Sequence, residues 1–293
     1  MEPLLILPFD HRSSFAKDLL GYKGELDETQ KRKVSELKEI VFEGFRRAVD
    51  SYKHKDYFGI LVDEEYGLPV IMNAKDYGVK VAVPVEKSGQ KIFDFEYGEQ
   101  FGEHISKVSP DFVKALVRYN PGNIEDNKQQ IHNLKQLSDY CGMHNKKLLF
   151  ELLVPPTDAD LKEAGSEEAY DNELRAKRTT AAIREIKEEI EVAIWKLEGF
   201  TAEQWPEVIG ACNDDAGIIV LGRGADREKV KQWLVDGSKF DRIVGFAVGR
   251  TIFANPLKKY LDFVFNRDQA AEMIAANFAT FVDLWAEHKK IEL

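Results

Sequence analysis

The stretch "AIWKLEGF", residues 193–200, is almost wholly apolar yet carries Lys196 and Glu198 two positions apart. It lacks the clean apolar–polar alternation of a strand with one wet face, so it reads as a strand of a parallel sheet covered on both sides. Seven further runs share this character: "LLILPFDHR" from 4, "FGILVDEEYG" from 58, "VKVAVPVEKS" from 79, "FVKALVRYN" from 112, "KLLFELLVPP" from 147, "GIIVLGRG" from 217 and "IVGFAVGRTIF" from 243. Eight such strands can close a barrel.

Helical stretches separate most of these runs. Asp27 with Gln30 three residues on has the form of a capping box, followed by Val34, Leu37, Val41, Phe45 and Val49 at helical spacing. Near the end, Ala271, Ile274, Phe278, Val282 and Trp285 share a face that finishes at Lys289 and Lys290, charges suited to a helix C-terminus. The acidic stretch 158–191 is longer than one barrel helix needs and is expected to form two helices or a lid. Alternation of strand and helix over 293 residues predicts an α/β fold, a single (β/α)8 TIM barrel spanning 1–293, with a doubly wound open sheet as the alternative.

Composition narrows the partners. With 51 acidic against 41 basic residues and a net charge of -10, there is no broad basic field, so nucleic acid is not an expected partner. Cys141 and Cys212 form no CxxC pair, which points to a reducing, cytoplasmic setting. The opening "MEPLLILPFDHR" has an acid where a signal peptide needs bases, and no membrane partner is expected. Six scattered histidines, without HExxH, give no reason to expect a metal or another cofactor, although ligands assembled only by folding stay open. Self-association as a homo-oligomer is likewise open.

In a barrel, functional side chains sit at the C-terminal ends of the strands. Lys196 shares a strand face with Ile194 and Glu198. If that face lines the interior, burial and neighbouring cations such as Lys87 would free its amine to attack a ketone; the plain alternative is an ion pair with Glu198 or Glu151. Glu151, buried mid-strand, reads as such a partner or as a general acid/base. Lys87 and Asp10 are further strand-end candidates, against the ordinary readings of a solvated lysine and a loop brace. "LGRGA" and "VGRTIF" place Gly222, Arg223, Gly224, Gly249 and Arg250 where barrels bind phosphate, and Arg12, Arg118 and Arg223 are candidates for a substrate carboxylate. Glycines serving turns, and arginines paired with acids, would give the same pattern.

Taken together, "LPFDHRSSF", "PVEKSGQKIFDFEYGEQF", "KALVRYNPG", "LLFELLVPPT", "IWKLEG", "VLGRGAD" and "GFAVGRTIFANP" resemble the bacterial 2-deoxy-5-keto-D-gluconate-6-phosphate aldolase family of myo-inositol catabolism. More distantly, the sequence is similar to class I tagatose-bisphosphate aldolases, with His11 in place of a glutamine and no serine in the seventh-strand turn. The resemblance implies a Schiff-base lysine at Lys196, proton transfer by Glu151 oriented by Lys87, assistance from Asp10, and a phosphate held by Gly222, Gly224, Gly249 and Arg250. It implies a small phosphorylated sugar as the partner. Cleavage of tagatose or fructose bisphosphate, or of a sulfonated analogue, is the nearest alternative, and a non-catalytic sugar-phosphate-binding barrel the next.

Overall fold

A computed structural model describes residues 1–293. Its strands are β1 Leu4–Pro8, β2 Phe58–Leu61, β3 Lys80–Pro84, β4 Phe112–Arg118, β5 Lys147–Leu153, β6 Ile194–Glu198, β7 Gly217–Leu221 and β8 Ile243–Ala247. All pair in parallel with their sequence neighbours, and β8 returns to β1, giving a closed eight-stranded barrel. The fold is thus a (β/α)8 TIM barrel, not an open sheet.

The first half of the helical layer is α1 Ser13–Leu20, α2 Glu28–Val49, α3 Glu64–Tyr77, α4 Phe101–Val108 and α5 Ile124–Met143. After β5 come α6 Asp158–Ala164, α7 Glu167–Ala169 and α8 Arg175–Lys187, the last two joined by a π-turn at Tyr170–Leu174. The remainder are α9 Trp205–Ala211, α10 Arg227–Ser238, α11 Arg250–Leu261 and α12 Arg267–Lys289. No helix is long and apolar enough to cross a membrane.

The capping box forms: the Asp27 side chain accepts from Gln30 N, and Gln30 returns a bond to Asp27 N. Every residue of the apolar stripe on α2 is buried, as is the stripe on α12, and the two helices meet with Phe45 and Phe278 rings 5.4 Å apart. Burying such stripes against the strands' outward faces supplies most of the drive for folding. The seam that closes the barrel needs a glycine, because a Cβ on Gly245 would lie 1.9 Å from the Leu4 carbonyl oxygen.

Inside the barrel, period-two alternation sorts the side chains into levels. Leu4, Ile6, Leu61, Ala82, Phe112, Leu149, Ile194, Ile219, Val244 and Ala247 form a separate apolar plug. One step further along β4, β5 and β6 the inward positions carry charge. That step makes the site.

Candidate active site

Phe112 of the plug is followed on the same face by Lys114, Leu149 by Glu151, and Ile194 by Lys196. The register sets Glu151 directly beside Lys196 across β5 and β6. Asp10, just beyond β1, and Glu86, just beyond β3, complete the ring, and all five side chains are buried. Lys196 Nζ lies 2.7 Å from Glu151 Oε1. Lys114 Nζ sits among three carboxylates, 2.8 Å from Asp10 Oδ2, 2.5 Å from Glu86 Oε1 and 3.1 Å from Glu151 Oε2. Such distances are those of charge-assisted hydrogen bonds.

These contacts set the protonation states. Burial alone would raise the Asp10 carboxyl, but the charge of Lys114, with help from His11 and Lys196, holds it well below the usual carboxylate range. For Glu151, burial is likewise outweighed by Lys196 and Lys114, and its pKa is lowered. Burial opposes the charge on Lys114, yet Asp10, Glu86 and Glu151 together raise its pKa. Glu86 goes the other way: burial, reinforced by Asp10, raises it despite Lys114. His11 is depressed to about 4 by burial, with Arg250 adding to the effect against Asp10, so its imidazole is neutral at physiological pH.

A second buried lysine braces the ring from outside. Lys38 of α2 donates to the carbonyls of Phe9, at 2.8 Å, and His11, at 3.1 Å, and pairs with Asp63 at the start of α3. It fixes the backbone on both sides of Asp10.

The sequence candidates are distributed unevenly around this ring. Asp10, Glu151 and Lys196 belong to it; Lys87 does not. Beyond β3 the chain forms a short antiparallel ribbon, with a Glu86–Phe95 bridge and Lys87 N bonded to Asp94 O. Alternation along it turns Glu86 inward and Lys87 out to solvent, where Lys87 makes no ion pair. Lys87, expected to orient Glu151, does not touch it in this structure; the lysine in contact with Glu151 Oε2, at 3.1 Å, is Lys114. Lys114 was missed although "FVKALVR" carries the same signal as "IWKLEG", a lysine in mid-strand flanked by buried apolar residues.

The arginines divide similarly. Arg12 is taken up by Glu96, at 2.7 Å, and by the carbonyl of Glu86. Arg223 forms an ion pair with Glu198 Oε1 at 2.8 Å and donates to both oxygens of Asp171, which fastens the π-turn to the barrel rim. Arg175 adds a contact of 3.6 Å to Glu198. Arg118 is exposed and donates to the Gln90 carbonyl at 2.9 Å. Arg118 and Arg250 are both exposed and without an ion pair, and of the two only Arg250 also lacks a side-chain hydrogen bond. It stands at the start of α11, after Gly249, where no side chain caps the helix. Its guanidinium packs over Gly224, whose φ is 72° and whose Cβ, were there one, would lie 2.7 Å from Arg250 Nη2. An uncapped helix start, a glycine turn and a free guanidinium are chemically suited to seat an anion.

A cleft of about 410 Å³ between α1 and α11, lined by His11, Ser14, Phe15, Arg250, Phe253 and Lys258, opens beside this seat. Another cavity, about 520 Å³, lies at the opposite mouth near Met1, Lys80 and Lys147, with the apolar plug between it and the charged ring. No cluster of three or more His, Cys, Asp or Glu side chains is arranged to hold a metal ion.

Comparison with known proteins agrees on the fold. A family model described as "Uncharacterized protein conserved in bacteria (DUF2090)" matches residues 1–289. No curated protein matches the sequence. Among solved structures, fructose-bisphosphate aldolase from Plasmodium falciparum superposes with a TM-score of 0.68 at 13% identity, covering 97% of this chain and 91% of that one. The protein Cgl0159 from Corynebacterium glutamicum gives 0.58 at 14% identity, covering 95% and 86%. At such identities the likeness is one of fold.

Proposed function

This chain belongs to the bacterial DUF2090 family, and we propose that it is a class I, Schiff-base aldolase acting on a phosphorylated keto sugar. The observation that carries the reading is the buried Lys196–Glu151 pair, 2.7 Å apart at the catalytic end of the barrel. An ammonium hydrogen-bonded to a carboxylate can pass its proton in one step, leaving a neutral amine facing a carbonyl.

In the proposed reaction Lys196 adds to the keto carbon, and loss of water gives an imine. Glu151 then takes the proton from the hydroxyl β to the imine carbon. The intervening carbon–carbon bond breaks, its electrons enter the imine to form an enamine, and an aldehyde leaves. Protonation of the enamine and hydrolysis release the ketone and restore Lys196. Lys114 holds Glu151 in place, and Asp10 faces a substrate hydroxyl. The phosphate sits on the uncapped start of α11 with Gly222, Gly224, Gly249 and Arg250, so that binding energy fixes the keto carbon against the amine.

The specific substrate we propose is 2-deoxy-5-keto-D-gluconate 6-phosphate, cleaved to dihydroxyacetone phosphate and malonate semialdehyde. Support for it comes from the sequence motifs and from an anion seat next to a cleft lined by Lys258 as well as Asp18. Borohydride treatment in the presence of dihydroxyacetone phosphate is expected to leave a stable adduct on the peptide bearing Lys196, and Lys196→Met to abolish both adduct and turnover. An adduct on another lysine, or turnover retained in the variant, would overturn the mechanism. Cleavage of a ketose bisphosphate with the keto acid phosphate untouched would overturn the substrate alone.

A further inference from the structure

Glu86 is the one carboxylate of the ring for which the proposed reaction has no use. It lies two residues beyond β3, turned inward by the ribbon, with its carbonyl gripped by Arg12. Its Oε1 lies 2.5 Å from Lys114 Nζ, while its Oε2 is buried and has no hydrogen-bond partner. A buried ionised carboxylate seldom leaves an oxygen bare, because the lost hydration is not replaced. A protonated carboxyl loses far less there, because a buried neutral hydroxyl without a partner costs much less than a buried charge.

The charge count leads the same way. Asp10, Glu86 and Glu151 face Lys114 and Lys196. Fully ionised, the buried ring carries one surplus negative charge, and a neutral Lys196, as imine formation requires, makes it two. We propose that Glu86 retains a proton in the resting enzyme and so acts as a positioning residue, holding Lys114 between Asp10 and Glu151 without adding a charge that would keep Lys196 protonated. This rests on the aldolase reading only for its kinetic consequence.

The charged groups facing Glu86 are Lys114 from β4 and Asp10 and Arg12 from the segment after β1; Glu151 lies across Lys114, and Glu96, on the returning arm of the ribbon, holds Arg12. Burial and Asp10 raise the Glu86 pKa, whereas Asp10 and Glu151 are themselves lowered. As pH rises, Glu86 is therefore the ring carboxyl that ionises last. Its ionisation places new negative charge near Lys196 and slows imine formation.

Two measurements test this. Infrared titration of the substrate-free native protein is expected to show the carbonyl stretch of a protonated carboxylic acid persisting above the ordinary glutamate range, and Glu86→Gln to remove that band. In borohydride trapping, Glu86→Gln, which mimics the protonated side chain, is expected to match the parent within about threefold below the Glu86 pKa and to outpace it above, losing one ionisation from the pH profile. Absence of the band in the native protein would overturn the proposal, whether or not the variant folds. A variant profile that is lowered uniformly and keeps the parent's ionisations would also overturn it, leaving Glu86 a simple brace. If the band is present and depends on Glu86 but no lysine is ever trapped, the aldolase reading fails and the assignment of the proton stands.

Discussion

The lower and upper halves of the barrel interior are built by the same strands on the same inward faces, yet they differ in kind. Below, Phe112, Leu149 and Ile194 close the barrel with packing that tolerates no water. Above, one alternation further on, Lys114, Glu151 and Lys196 hold one another by charge. The lower half could be rebuilt from other residues of similar volume. In the upper half every partner depends on another, because removal of one charge strands its neighbours in a dry site. A barrel thus separates stability from chemistry by a rise of two residues.

The sharpest way to break this contrast is Lys114→Met. Loss of the central ammonium strands Asp10 and leaves Glu151 with Lys196 alone, and unfolding free energy is expected to fall by about 3–5 kcal/mol in denaturant titration, with turnover lost as Glu151 drifts. The sign of its pH dependence is diagnostic. In the parent, Asp10 and Glu151 sit below their ordinary values, so their contribution is complete above the usual carboxylate range and lost as pH falls through and below it. In the variant the stranded carboxylates prefer to be protonated, and stability should instead recover on acidification. Equal acid sensitivity in the two proteins would show that the ring is not electrostatically coupled.

Leu149→Ala probes the other half. A cavity in the plug is expected to cost about 2–5 kcal/mol, with no change in the pH dependence of stability and with lysine trapping per folded molecule unaltered. A shifted trapping profile would mean that the plug positions the charges and that the two halves are not separate.

Arg250→Ala reaches the rim, where neither kind of burial operates. Arg250 is exposed and unpaired, so stability should move by less than about 0.5 kcal/mol. If Arg250 grips the phosphate, KM should rise about 10- to 100-fold with kcat little changed. An unchanged KM would remove the anion from the start of α11.

What could be read in advance follows the same division. The eight strands and the faces of α2 and α12 were legible because periodicity and contiguous burial are local properties of the chain. So was the inward face of β6. Of the pairings across the barrel only that of Lys196 with Glu151 was legible, and then with Glu198 as an equal alternative. Arg223 offered itself as a ligand for substrate until folding brought in Asp171, 52 positions away, and Glu198. The stretch 158–191 was legible as helical; that its π-turn would deliver Asp171 to Arg223 was not. Lys114 lay hidden for the opposite reason: nothing beside it in sequence is acidic, and its three carboxylates arrive from β1, β3 and β5.

Lys87 and Glu86 reduce the contrast to a single peptide bond. Motif resemblance favoured Lys87, whereas alternation along the ribbon turns its neighbour inward and leaves Lys87 in water, without an ion pair, its amide still bonded to Asp94 O. Lys87→Met should therefore change stability by less than about 0.5 kcal/mol and kcat/KM by no more than about twofold, since the side chain touches none of the ring and the backbone bond survives. A loss of tenfold or more, with the fold intact, would mean that the ribbon turns when substrate binds and brings Lys87 over the imine. The boundary between the wet rim and the charged ring would then be one that the substrate redraws.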